Sequence, residues 1–244
     1  MSDWVLTYEG YDPEHEGLRE ALCTLGNGFF ATRGAGTDAQ ADGVRYPGTY
    51  VAGGYNRLVS RVAGRDIENE DLVNVPNWLP LTFGTRDGQW FRLEDVELLE
   101  YRQELDLRQG LLTRDLRFRD AAGRTTRWRE RRLVSMANPH HAALAIELTP
   151  EDWSGGITIR TALDGSVTNA GVERYQALDG RHLQTLRAEA VNRDTLLLHT
   201  RMNQARREIA QAARTRAYVG EDEIAAERRL VGAARWVAQE LDLE

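Results

Sequence analysis

The chain has 244 residues and a formal net charge of -7, and its 31 strongly basic residues are all arginine. The absence of lysine excludes Schiff-base chemistry and the lysine of a phosphate loop. An acidic balance without a basic tail or stripe argues against a nucleic-acid partner. Cys23 is the single cysteine, which excludes an intrachain disulfide and a cysteine-based zinc site.

The first residues, Met1-Ser2-Asp3-Trp4, lack the charged-then-apolar pattern of a signal segment. No apolar run approaches the roughly 20 residues that span a bilayer. The expected setting is therefore reducing and cytoplasmic, with neither membrane nor nucleic acid as partner. A chain of this length buries roughly 70 to 75% of its unfolded surface, enough for a substantial core.

Near the start, Leu25-Gly26-Asn27-Gly28-Phe29-Phe30-Ala31-Thr32-Arg33-Gly34 combines turn glycines, two aromatics and a cation. Gly26, Gly28 and Gly34 suit positive φ or close chain approach, and Asn27 tolerates the same left-handed geometry. The stretch reads as a tight turn from which Phe29 and Phe30 launch a strand. It is not a phosphate loop, because the Gly-Lys-Ser/Thr step and the βαβ context are both missing. Tyr46 to Tyr55 reads as a second loop rich in aromatics and glycine. In Asp71-Leu72-Val73-Asn74-Val75-Pro76-Asn77-Trp78-Leu79-Pro80, two prolines stiffen a segment that carries two asparagines and a tryptophan. Sugars are held by aromatic faces on their C–H surfaces and by amides on their hydroxyls, so Asn77 and Trp78 have suitable chemistry. The competing reading is that Trp78 plugs the end of a core.

Further along, the pattern has period two. Trp90 to Tyr101, Leu116 to Phe118, Thr125 to Val134, Ala142 to Leu148, Ile157 to Leu163 and Thr195 to Thr200 are strand-like runs. Asp87-Gly88, Ala122-Gly123, Gly155-Gly156, Asp164-Gly165 and Asp179-Gly180 punctuate them like hairpin turns, which points to antiparallel sheets and a sandwich. Asn203 to Tyr218 fits both a helix, by its alanine content and its four-residue spacing, and a strand, by the alternation of Ile209, Gln211 and Ala213. Arg235 to Glu244 reads as a strand with Val237, Leu241 and Leu243 on one face and no terminating cap, so the pattern is expected to continue. No repeat or low-complexity linker marks a second domain.

Glu68-Asn69-Glu70-Asp71 and Glu94-Asp95-Val96-Glu97 are the carboxylate clusters that could supply an acid and base for a glycosidic bond. Neighbours on a strand point to opposite faces, so both clusters read as solvated surface. Adjacent His140 and His141 diverge for the same reason, and His199 sits in an apolar run, so each reads as structural. No catalytic residue and no metal site is assigned.

Three ordered motifs carry a resemblance. Glu20-Ala21-Leu22 leading into Leu25-Gly26-Asn27-Gly28 and Arg33-Gly34 is the first. Tyr46-Pro47-Gly48-Thr49-Tyr50 with Ala52-Gly53 is the second, and Leu72-Val73-Asn74-Val75-Pro76-Asn77-Trp78 is the third. Together they resemble the N-terminal domain of glycoside hydrolase family 65, the maltose, trehalose and kojibiose phosphorylases and related α-glucoside hydrolases. Leu105-Asp106-Leu107, Leu111-Leu112-Thr113-Arg114 and Arg131-Arg132-Leu133-Val134-Ser135-Met136 agree more loosely, so the resemblance covers most of the chain.

The resemblance implies an all-β fold, a large antiparallel β super-sandwich of the galactose-mutarotase-like type with little helix, across residues 1–244. It favours the strand reading of Asn203 to Tyr218. It implies a chain truncated before the family's (α/α)6 catalytic barrel, which carries the general acid, and hence a non-catalytic supporting domain. The implied partners are that catalytic domain, an α-linked glucose disaccharide and a second copy in a homodimer. No resident cofactor is implied, and inorganic phosphate is the co-substrate if the reaction is phosphorolysis. Asn77, Trp78 and Arg33 are the candidates for shaping the substrate pocket or an interdomain contact. Two other classes are a carbohydrate-binding module and a mutarotase or epimerase using a His and a Glu as acid and base.

Overall fold

A computed structural model of the chain describes residues 4–86, 88, 90–170 and 178–243. In chain order the first elements are β1 (Val5–Glu9), α1 (Glu16–Leu22), β2 (Leu25–Gly26), β3 (Phe30–Thr32), β4 (Thr49–Val51), β5 (Tyr55–Val62), β6 (Arg65–Leu72) and β7 (Leu81–Thr85). A short 3-10 turn at Leu93–Asp95 precedes β8 (Glu97–Asp106), β9 (Leu111–Arg119), β10 (Thr125–Val134), β11 (Ala142–Pro150) and β12 (Ile157–Asp164). The last elements are β13 (Leu183–Ala190), β14 (Thr195–Met202), β15 (Glu208–Arg214), β16 (Tyr218–Val219), β17 (Asp222–Glu223), β18 (Glu227–Ala233) and β19 (Trp236–Leu243). The fold is all-β with little helix, as expected. The strand expected from Trp90 begins only at Glu97, because Leu93 is tucked inward by the 3-10 turn.

Two compact units form, Met1–Pro47 with Thr85–Gly156 and Gly48–Gly84 with Ile157–Glu244. Each unit is assembled from two separate chain segments, so no linker composition marks them.

The first unit is built on an antiparallel sheet in the order β1-β8-β9-β10-β11. Its hairpins are closed chiefly by aspartates. Asp106 Oδ1 accepts from the N–H groups of Arg108 and Gln109, and Asp120 Oδ1 accepts from those of Ala122 and Arg124. These side chains mimic a backbone turn. Of the four expected turn dipeptides that lie wholly within the described residues, only Ala122-Gly123 closes a hairpin; Asp87 of the fifth lies outside them. In β9 and β10 the inner face takes Leu112, Arg114, Leu116 and Phe118, and Trp128, Glu130, Arg132 and Val134. Apolar clusters occupy both ends of that face. Phe91 packs on Phe118 and Trp128 with ring centroids 4.7 and 5.4 Å apart, and Cys23, Leu25, Leu105, Leu112 and Val134 form the other cluster. Between them lies a buried charged row.

In the second unit, a sheet of order β18-β19-β12-β7 and a sheet of order β13-β14-β15 pack through Leu163, Leu196, Leu198 and Val237. Each such side chain taken from water stabilises by about 1.5–3 kcal/mol. Val73, Val75 and Met202 form a second cluster joined by Val51, Leu183, Ala205 and Ile209. The ambiguous segment is a strand over Glu208–Arg214. Its Ile209, Gln211 and Ala213 turn inward while their neighbours are exposed, and burial at period two outweighs local helix propensity. The end of the chain is also a strand, with both faces of Val237–Glu240 buried.

Candidate functional site

The first motif folds as a β2–β3 hairpin in which Leu25 pairs with Thr32 and Gly26 with Ala31. Left-handed backbone is confined to Gly28, at φ +85°, and Asn27 acts instead through its amide. Its Oδ1 accepts from the N–H groups of Phe29 and Phe30 at 3.0 and 3.1 Å. Its Nδ2 donates to the carbonyls of Ser135 and Pro139 at 2.7 and 3.0 Å. One side chain therefore both shapes the turn and fastens it to the loop after β10. The exposed Phe29 ring meets His140 edge-on at 4.3 Å.

Beyond β3, Arg33 to Asp38 crosses the charged row of the sheet. Arg132 is 2% exposed and donates to the carbonyls of Arg33 and Ala35 at 3.1 and 2.5 Å. Arg114 Nε donates to Glu130 at 3.1 Å, and its Nη2 also contacts Glu130 and Asp38. Glu130 further accepts from the Thr37 hydroxyl at 2.7 Å. Burial pulls the Arg114 guanidinium down, but Asp38 and Glu130 outweigh it and hold the group well above the ordinary arginine value. Burial dominates at Arg132 and pushes it down to about 10, so it stays charged at neutral pH. The row can anchor a strand-like segment onto the sheet, and it is closed to solvent.

Arg33 itself lies beside α1. Its Nη2 donates to the Gly17 carbonyl at 2.8 Å and lies 3.5 Å from Glu20 Oε2, and the guanidinium sits 5.6 Å from the Tyr46 ring centre. Glu20 also accepts from the Tyr46 N–H at 2.8 Å. Burial raises the Glu20 and Glu16 carboxyls above their ordinary value. A raised carboxyl suits a general acid, but Glu20 is 2% exposed and faces the domain's own chain.

The third motif belongs to the second unit. Asn74 accepts from the Thr49 N–H at 3.0 Å, and its own N–H donates to Asn169 at 2.8 Å. Asn77 exchanges backbone hydrogen bonds with Asp164 at 2.8 and 2.9 Å, and its Oδ1 accepts from Leu79 N–H at 3.0 Å. This turn places Trp78, half-buried, against the core of Leu163, Leu196, Leu198 and Val237, with its Nε1 buried and without a hydrogen-bond partner among the described residues. Asn77 and Trp78 are thus adjacent on one loop, while Arg33 belongs to the other unit.

Glu68 and Glu70 are exposed and lie 3.6 and 3.5 Å from Arg57, and Glu94 pairs with Arg45. His199 approaches Glu208 at 3.0 Å on the outer face of β14 and β15. Sequence reasoning missed Asn56 and His182, each 1% exposed, which join at 3.0 Å. Neither lies in a motif. Among the described residues no helix is long and apolar enough to cross a membrane, and no cluster of three or more His, Cys, Asp or Glu could hold a metal ion.

Comparison with known proteins fits these motifs. Residues 6–244 match the profile of the glycosyl hydrolase family 65 N-terminal domain. An uncharacterized glycosyl hydrolase of Mycobacterium tuberculosis H37Rv is 47% identical over 87% of this chain and 16% of its own length. The kojibiose phosphorylase of Caldanaerobacter subterraneus subsp. tengcongensis is 31% identical, over 90% of this chain and 27% of its own. The trehalose 6-phosphate phosphorylase of Lactococcus lactis is 33% identical, over 85% and 26%. A solved human-microbiome protein provisionally named kojibiose phosphorylase shares the fold with a TM-score of 0.80 at 17% identity, covering 98% of this chain and 30% of its own. The chain thus spans about a sixth to a quarter of the length of these curated relatives. It belongs to glycosyl hydrolase family 65, as an N-terminal domain of that family.

Proposed function

We propose that the chain is a non-catalytic scaffold for the catalytic part of an α-glucoside phosphorylase or hydrolase that acts on an α-linked glucose disaccharide, with inorganic phosphate as co-substrate in the first case. The carrying observation is that the motif asparagines and Arg33 direct hydrogen bonds to the domain's own chain. Asn27 fastens a turn, Asn74 and Asn77 hold the third motif, and Arg33 with Glu20 fixes α1. Arg33, Asn77 and Trp78 then act by setting the shape that the domain offers to its catalytic partner. In the partner, a protonated carboxyl would donate to the leaving oxygen while phosphate or water attacks the anomeric carbon from the opposite face.

The test is incubation of the pure chain with kojibiose, trehalose and maltose, with and without phosphate. No release of glucose or glucose phosphate above blank is expected, and turnover by this chain would overturn the reading. Titration calorimetry with the same sugars separates a scaffold from a binding module: a saturable isotherm at millimolar sugar would favour the module.

A further inference from the structure

His182 is enclosed by groups that dictate where its proton sits. Asn56 Oδ1 accepts from the backbone N–H groups of Gln204 and Ala205 at 3.1 and 2.8 Å. Reversing that amide would set its NH2 against two N–H donors, so its orientation is fixed. Asn56 Nδ2 donates to Asn203 Oδ1 at 2.9 Å, and Asn203 Nδ2 in turn donates to the Arg181 carbonyl at 2.9 Å. The remaining hydrogen of Asn56 points at His182 Nδ1, 3.0 Å away. Nδ1 is therefore bare and the ring carries its proton on Nε2. That N–H faces Asp71 Oδ2 at 3.3 Å without aligned hydrogen-bond geometry.

The turn held in this way is strained. Arg206 takes a left-handed φ of +57°, a conformation that non-glycine residues keep only when their surroundings over-determine it. The turn also closes β14 onto β15, with Met202 N–H donating to Arg207 and Arg206 N–H to Met202. Met202 and Ala205 lie in the cluster with Val73 and Val75 of the third motif.

We propose that His182 is a proton-operated latch on the Asn203–Arg207 turn, closed while Nδ1 accepts from Asn56 and released when Nδ1 is protonated. The added N–H opposes the Asn56 NH2, so the amide rotates to present Oδ1 to the ring. Gln204 and Ala205 N–H then lose their acceptor, and the left-handed Arg206 loses its support. The charged groups acting on the ring are Asp71 from β6 and Asp179 from its own segment. β5 and the turn present the neutral amides of Asn56 and Asn203. Burial holds the imidazole below its ordinary value against the pull of both aspartates, so the latch is closed at neutral pH and opens under acid conditions.

Ring nitrogen NMR on the labelled chain at pH 7.5 reads the tautomer directly, and Nδ1 is expected bare with Nε2 protonated. Hydrogen exchange between pH 7.5 and 4.5 then follows the turn. Protection factors of Gln204 and Ala205 are expected to fall at least tenfold with the His182 titration, while Leu198 in the same sheet keeps its protection. In His182→Gln, which retains an acceptor toward Asn56 but does not titrate, turn protection is expected to hold across the range. A protonated Nδ1 at pH 7.5, a ring that does not titrate by pH 4.5, unchanged protection at Gln204 and Ala205 while it does, or the same loss in His182→Gln would each overturn the proposal. The tautomer and wild-type exchange data decide it even if that variant does not fold.

Discussion

The Arg114 guanidinium fills the space in front of Gly36: a Cβ at that glycine would lie 2.5 Å from Cζ. The end of an arginine normally yields easily, but this one is buried between Asp38 and Glu130. Moving it would leave two carboxylates in a water-poor interior. Removing one partner from such a network costs about 3–5 kcal/mol.

Gly36→Ala is therefore expected to lower the free energy of unfolding by about 3 kcal/mol in urea titrations. Arg114→Met should be comparably destabilising on its own. Because both act on the same contact, the double variant should fall short of the sum of the two by about 1–3 kcal/mol. Additive effects would show that the close approach is not what constrains position 36.

How much of this was legible follows from particular residues. The strands Thr125–Val134 and Thr195–Met202 could be read from period-two alternation, because burial on one face sets that period. The motif asparagines were legible as turn residues, but not as side chains that reach loops more than 100 positions away, as Asn27 does to Ser135. Arg114, Glu130 and Arg132 do not stand out in the sequence, because each strand is arginine-rich. A usable signal lay in their phase: they alternate in step with Leu112, Leu116, Trp128 and Val134, which marks the inner face. Asn56 and His182 gave no local signal, since their meaning depends on a turn near residue 204.

Trp78 gives a second prediction. Its Nε1 has no acceptor among the described residues, so Trp78→Phe sacrifices no hydrogen bond and should cost below about 1.5 kcal/mol. Trp78→Ala removes packing against the Leu163, Leu196, Leu198 and Val237 core and should cost about 2–3 kcal/mol, less than a fully buried tryptophan. Thermal denaturation of both variants checks the order. Equal losses in the two would mean that the indole N–H has a partner that matters.

Glu20 provides a pH test whose sign differs from the usual carboxylate. Burial raises its folded-state pKa above the ordinary value of 4.5, so the fold favours the protonated form. The wild-type penalty is absent below 4.5, grows as the pH rises through the folded pKa, and is constant above it. Glu20→Gln retains an acceptor for Tyr46 N–H and removes the ionisation. The stability of the variant minus that of the wild type should therefore rise with pH across that window and then level off. Urea titrations at closely spaced pH values measure it, and a difference that falls with rising pH would contradict burial as the dominant influence.

The β5–β6 ribbon turns through Ala63 and Gly64, at φ +49° and +80°. A two-residue turn with both central residues left-handed matches the twist of the flanking strands, and asparagine followed by glycine suits it best. Alanine in that conformation carries about 1–2 kcal/mol of steric cost, because its Cβ crowds the following carbonyl. Asparagine tolerates the geometry without the extra freedom that glycine would give the unfolded chain. Ala63→Asn should raise the free energy of unfolding by about 0.5–1 kcal/mol, with Ala63→Gly gaining less because of that unfolded-state freedom. The side chain at position 63 belongs to the turn between Arg61 and Asp66, which remain paired at 3.1 Å, so the gain should not come from a changed ion pair. Repeating the measurement in high salt separates the two causes: a strain effect persists, whereas a gain that disappears with salt would assign it to electrostatics instead.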